Sequence, residues 1–366
     1  MKTLIILFMV LISVGLSSEN NLTKSDIHTI CFEKNFNKKV ASLLHNSIES
    51  GKNTYAVSSI STSNRSNYET DRPLIVKFDQ KGNIVWSKTL INYFGILDSV
   101  VADKDSNIYA VGTEYSATRS GYNDIKKSLI VKLDSNGKVL WKKAIGTTKY
   151  DSFKDIKIMN NNLYIIGLTR YKNIKYQSEL VKMNTNGKVL FSKIIYDDYY
   201  VGFEPHIAID NDENIYVSSN SKSKKPSITK YDKNGKELFT KEINSFGLLQ
   251  VVFDDNKNLY TISIDKKPAL ATNIMKLNSN GSIIWKKDIK VDKRNFPKNI
   301  VVKNDRIYIL GRHITIYNLD GLYKSKIQMK QIHITNISPT KDKGLLITGG
   351  KSNSSVSNSS YFAKVK

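Results

Sequence analysis

After its first residues the chain reads as short apolar runs that alternate with polar clusters, a period of two along each run and not the 3.6 of a helix. LIVKLDSNGKVLWKKAI, from Leu129 to Ile145, is a clear case: an apolar run, a polar turn ending in Gly137, and a second alternating run. Asp134 at the first turn position can bond the backbone ahead of it, and Gly137 accepts the left-handed conformation that closes a short hairpin. The pattern predicts two antiparallel strands joined by a tight turn.

That hairpin recurs. DRPLIVKFDQKGNIVWSKTL begins at 71, QSELVKMNTNGKVLFSKII at 177, KPSITKYDKNGKELFTKEI at 225, ATNIMKLNSNGSIIWKKDI at 271 and a degenerate ITIYNLDGLYKSKI at 314. Their turn glycines Gly82, Gly137, Gly187, Gly235, Gly281 and Gly321 are spaced 55, 50, 48, 46 and 40 residues apart, the period of propeller blades. All three tryptophans, Trp86, Trp141 and Trp285, share one slot of the second strand, which Phe191 and Phe239 fill elsewhere; a large ring there suits packing between neighbouring sheets.

Between hairpins lies a second unit, such as DSNIYAVGTEYS from 105 and NNLYIIGLTRY from 161, each preceded by a further apolar strand such as ILDSVVADK or FKDIKIMNN. Each period therefore holds four short strands, one blade of a β-propeller. Seven inner pairs are present, but the seventh blade ends at SYFAKVK without a fourth strand. IHTICFEKNF, residues 27–36, supplies it by placing Phe32 in the tryptophan slot and Lys34 over Lys88, which closes the ring and removes an open sheet edge. Cys31 then sits beside the packing ring as a small apolar filler. The expected architecture is an all-β, seven-bladed propeller of four-stranded antiparallel blades over residues 18–366.

The unit from Leu129 to Tyr171 resembles the bacterial β-propeller repeat known as SBBP, through Lys132, Asp134, Gly137, Trp141, Gly146, Asp151, Tyr164 and Gly167. The resemblance recurs with erosion over residues 27–366 and implies architecture, with no fixed activity. The hairpin is also similar to the tryptophan-docking repeats of pyrroloquinoline quinone enzymes. Those enzymes add acidic and amide ligands for calcium and a catalytic aspartate in the central funnel, a constellation with no counterpart in this sequence, so no cofactor is expected.

Lys2, the apolar stretch from Leu4 to Leu16 and the small residues Gly15 and Ser17 read as a secretory signal over residues 1–17, too short to span a bilayer; a retained N-terminal anchor is the alternative. No small residue precedes Cys31 as a lipid-attachment site requires, and a single cysteine cannot close an intrachain disulfide. These features predict a secreted or periplasmic monomer held by its core. Net charge is +23, and such an excess attracts anionic partners, although lysines spread through every repeat also follow from a composition rich in Lys, Asn and Ile.

Motifs of known chemistry are weak. Asp103, Asp105 and Asn107, and Asp210, Asp212 and Asn214, have the opening spacing of some calcium loops, but Ile108 and Ile215 stand where such loops need glycine, so they read as A–B hairpin turns and no metal site is expected. The histidines His28, His45, His206, His313 and His333 occur singly; His206 and His313 lie near loop ends. In a propeller the A–B and C–D turns share one face, here called lower, and the B–C loops and inter-blade connections share the other, here called upper. The lower turns are short and regular; the upper connections are long and irregular, where binding usually resides. They interleave arginine and tyrosine, and Arg65, Tyr68, Arg119, Tyr122, Arg170, Tyr171, Tyr199, Tyr200 and Arg294 are the candidate ligand residues. Arginine grips carboxylate or sulfate in paired hydrogen bonds and tyrosine offers a flat face with a polar tip. The reading is a non-catalytic module for an anionic glycan or acidic protein. The alternatives are a metal-assisted hydrolase or lyase on an anionic sugar at the central funnel, marked by histidines or carboxylates within about 4 Å of one another, and nucleic-acid binding, which an export signal disfavours.

Overall fold

The computed structural model describes residues 30–36, 43–61, 71–116, 125–146, 150–171, 175–196, 204–221, 224–265, 271–289, 297–328, 332–351 and 359–366. These residues form seven four-stranded antiparallel sheets from 28 strands. The inner strands are β2 (Leu43–Ser50), β6 (Phe94–Ala102), β10 (Ser152–Met159), β14 (His206–Ile209), β18 (Gly247–Phe253), β22 (Asn299–Lys303) and β26 (Ile332–Pro339), and each contacts the inner strand of the next blade until β26 meets β2. The ring closes as the sequence predicts: β1 (Ile30–Phe36) is the outer strand of the last blade and pairs antiparallel with β28 (Ser359–Val365), Glu33 opposite Ala363.

The middle strands of each blade are buried on both faces, which is why they read as continuous apolar runs; Tyr109, Val111, Ile130, Ile156, Leu163 and Val181, for example, form one cluster between the second and third blades. The recurring ring is the lock between blades. Trp86 of blade 1 lies flat on Gly137 of blade 2, where an added Cβ would meet its ring at 3.2 Å. Trp141, Phe191, Phe239 and Trp285 likewise face Gly187, Gly235, Gly281 and Gly321. Phe32 faces Gly82 in the same way, so the N-terminal strand docks its aromatic on blade 1 as the outer strands of blades 1–5 do on their successors. These turn glycines combine a positive φ, +83° at Gly137, with the absence of a side chain under the ring.

A lysine in the third strand of each of the first five blades completes the lock. Lys77, Lys132 and Lys182 donate to the carbonyls of Ser135, Thr185 and Lys233 in the next blade's turn, and lie 5.6, 5.1 and 4.9 Å from the rings of Tyr55, Tyr109 and Tyr164. Lys230 and Lys276 stand over Tyr216 and Tyr260 at 5.0 and 5.5 Å. Part of the basic composition is therefore structural.

One expectation is corrected. Cys31 is exposed, not a core filler. The outer strands carry a β-bulge at the residue before the ring, here between Ile30 and Phe32, and the bulged residue turns outward. Val85, Leu140, Leu190, Leu238 and Ile284 occupy the same bulge in blades 1–5 and are about half exposed for the same reason.

Candidate functional site

The leading aspartates of two lower turns are engaged within their own hairpins. Asp103 accepts the backbone N–H groups of Asp105 and Asn107 at 2.9 and 2.8 Å, the Asn107 amide at 2.8 Å and the Tyr109 hydroxyl at 3.0 Å. Asp210 is engaged in the same way by Asp212 and Asn214. Both carboxylates are committed to hairpin geometry, and among the described residues no three His, Cys, Asp or Glu side chains group as a metal site.

On the upper face, Arg65, Tyr68, Arg119, Tyr122, Tyr199, Tyr200 and Arg294 lie outside the described residues, and Tyr171 is described only as a strand residue. Arg170 is the next-to-last residue of β11 (Asn162–Tyr171), and its guanidinium lies 4.7 Å from the ring of Tyr150 and 5.3 Å from that of Tyr176. Tyr150 comes from the connection into blade 3 and Tyr176 from the start of β12 (Lys175–Asn184), so three segments converge on one cation. Thr169 Oγ1, next to it, donates to Asp151 at 2.5 Å. Three more cation–aromatic pairs follow along the upper ends of blades 1 and 2: Arg72 on Phe94 at 3.6 Å, Lys142 on Tyr93 at 3.1 Å and Lys126 on Tyr115 at 5.2 Å.

The second upper feature is the channel mouth, where the inner strands β2, β6, β10 and β26 are bulged at His45, Asp98, Lys154 and Thr335, and β18 between Leu248 and Val251. A bulge re-aims its side chain, and each of these four reaches the next blade. Thr335 Oγ1 donates to Leu44 O, His45 Nδ1 lies 2.9 Å from Leu97 O, Asp98 is 3.6 Å from Lys154, and Lys154 is 3.2 Å from Glu204. Asn220 with Leu248, Gln250 with Ile300 N–H, and Asn299 with Asn336 complete a polar girdle that joins every pair of neighbouring blades.

Its charged part spans blades 2–4. Burial pushes the Asp98 carboxyl up against the opposing pull of Lys154 and His45. For Lys154 burial opposes charge, but Asp98 and Glu204 outweigh it and hold the ammonium above its ordinary value. One layer below, Asp155 accepts from Lys157 at 2.7 Å, from Ile156 N–H at 2.9 Å and from Ser99 at 3.3 Å, with His206 Nδ1 3.6 Å away. Burial alone would raise its pKa; Lys157 and His206 hold it well below the carboxylate range. Towards the lower ends of the strands the wall turns aliphatic, and Ile48, Val101, Ala102, Ile158, Met159 and Ile209 with Lys157 line a cavity of ≈ 260 Å³.

His206 was visible in the sequence as a loop-end residue; His45, Asp98, Lys154, Asp155 and Glu204 were not singled out as a group. Aligning the inner strands LLHNS, GILDSV, SFKDI and HITNIS sets His45, Asp98, Lys154 and Thr335 in one column, each after an apolar residue and before a polar one, the signal that would have found them.

No family profile matches the chain, and no curated protein does. Solved structures do. The chain is similar to a structure described as the Dos1 propeller, at 9% identity and a TM-score of 0.55, covering 90% of this chain and 93% of that one. It is also similar to a protein of unknown function from Dyadobacter fermentans, at 7% identity and a TM-score of 0.56, covering 93% and 99%. At such identities the likeness establishes the β-propeller fold alone.

Proposed function

We propose that the chain is an exported, monomeric, non-catalytic binding module, built from SBBP-type repeats, whose upper face takes an anionic glycan or an acidic protein. The observation that carries this reading is Arg170 held between Tyr150 and Tyr176, at the end of a row of cation–aromatic pairs on blades 1–3. The distribution of charge supports it. In the segments joining the upper strand ends, lysines and arginines outnumber acids; in the lower turns, acids outnumber bases. The charge of the connecting segments is thus graded along the propeller axis, a field that gathers anions on one face.

The test is a glycan array that includes sulfated and uronic-acid polymers, with Arg170→Ala and Arg170→Lys. Binding to anionic members, weakened about tenfold by Arg170→Ala and only partly restored by lysine, is expected, because a point charge cannot replace a planar fork stacked on two rings. Binding indifferent to Arg170, or equal for neutral glycans, would remove the reading.

One observation favours a second reading. His206 Nδ1 lies 3.6 Å from the Asp155 carboxylate at the channel, the pairing that orients a general base. Turnover of an unsaturated or reducing-end product from an anionic polysaccharide, abolished by His206→Ala, would move the protein to the enzyme class. Nucleic-acid binding is a further outcome, recognised by a steep fall of affinity with salt.

A further inference from the structure

The ion triad at the channel mouth is asymmetric. Lys154 Nζ stands between Asp98 Oδ2 at 3.6 Å and Glu204 Oε1 at 3.2 Å, and the three side chains are 15%, 19% and 54% exposed. The ammonium and Asp98 are enclosed by the inner strands of blades 2 and 3, whereas Glu204 projects from the segment that enters blade 4. The backbone under Lys154 is pinned, because Asp155 is fixed by Lys157, Ile156 N–H and Ser99. The cation is therefore preorganised, and the partner on its solvent side is the exposed half of the pair, where water competes for the contact.

We propose that Lys154 is the seat of the ligand's acidic group, and that a carboxylate or sulfate on a sugar takes the position of Glu204 while Asp98 remains behind the ammonium. This rests on the reading of the upper face as an anion-binding surface and names the place where a single acidic substituent is held. Three further features support it. Lys154 lies near the upper end of β10, on the face that Arg72, Lys126 and Arg170 share, so an anion drawn to those cations comes close to it. Asp98 Oδ2 stands 3.6 Å from the ammonium, beyond a direct hydrogen bond, so Asp98 alone does not saturate the cation. Gln250, half-buried on the inner strand β18, carries an amide of the kind that bonds sugar hydroxyls. Glu204 then acts as a built-in competitor, so that weak anions such as buffer ions do not occupy the seat.

The experiment titrates the purified chain with sodium glucuronate by calorimetry, glucose as the neutral control, and in parallel with polygalacturonate; Lys154→Met and Glu204→Gln are compared with the unaltered chain. Glucuronate should bind and glucose should not. Glu204→Gln should tighten glucuronate about threefold to fivefold by removing the competitor. Lys154→Met should weaken it at least about tenfold, while polygalacturonate, held also by Arg170, keeps most of its affinity. Glu204 is exposed, so its variant reads the exchange even where Lys154→Met fails to fold. Polymer binding with no glucuronate binding, or with glucuronate affinity unmoved by Glu204→Gln, overturns the seat and leaves the upper-face reading standing. Failure of the unaltered chain to bind the polymer overturns both.

Discussion

Gly82→Ala tests the ring-closing lock where two costs can be separated. Gly82 has φ +74°, and an added Cβ would lie 2.5 and 2.7 Å from two ring carbons of Phe32. The left-handed conformation costs alanine about 1–2 kcal/mol. Displacing the ring, which is also wedged against Phe362 with centroids 5.2 Å apart, adds about 1–3 kcal/mol of overpacking. The sum is about 2–5 kcal/mol. Gly51 is the internal control, because it has φ +60° and nothing within 4 Å of the added Cβ, so Gly51→Ala carries the backbone cost alone. Urea unfolding of both variants should therefore place Gly82→Ala at least about 1 kcal/mol below Gly51→Ala. In a double-mutant cycle with Phe32→Ala, the excess should vanish once the ring is gone, a coupling of about 1–3 kcal/mol. Limited proteolysis should also cut the N-terminal strand faster in Gly82→Ala. Equal destabilisation of the two glycine variants, with no coupling to Phe32, would refute the docking of β1 on blade 1.

Other consequences follow from the same geometry. Lys182 is 7% exposed and donates to Lys233 O, so Lys182→Met should cost about 2–3 kcal/mol in chemical denaturation, whereas Lys88→Met, on an exposed outer strand, should be nearly neutral. Asp155 is held below its ordinary pKa, so its contribution is present above about pH 4 and lost as the pH falls; melting curves between pH 3 and 7 should show a flatter acid limb for Asp155→Asn and lower stability at neutral pH. Cys31 should react with a thiol reagent in the native state at a rate close to that in denaturant, and a rate slowed by orders of magnitude would return it to the core.

The fold was legible because every level of the sequence repeats in register. The turn glycine, the ring slot and the tyrosine of the second strand each mark the same structural position, and Phe32 could be matched to Trp86 before any contact was seen. Alternation misplaced Cys31 because a bulge inserts one residue and reverses the outward sense of the side chain, and a period-two reading has no sign for that. The channel mouth escaped for a related reason. Its residues come from separate blades, each beside a second polar residue in a short strand, and alternation does not show which of the two an inner-strand bulge aims at the channel. Arg170 was legible as a binding residue type, but its two ring partners are set by the meeting of a connection and two strands.

The central claim is that anion binding belongs to the upper face and is not a general effect of net charge. Two variants with the same change in charge decide it: Lys126→Glu with Lys127→Glu at the upper end of blade 2, and Lys81→Glu with Lys138→Glu in the lower turns. Measured by equilibrium binding to polygalacturonate at fixed salt, affinity should fall about tenfold or more in the upper variant and by less than about twofold in the lower one. Equal losses in both would contradict the account.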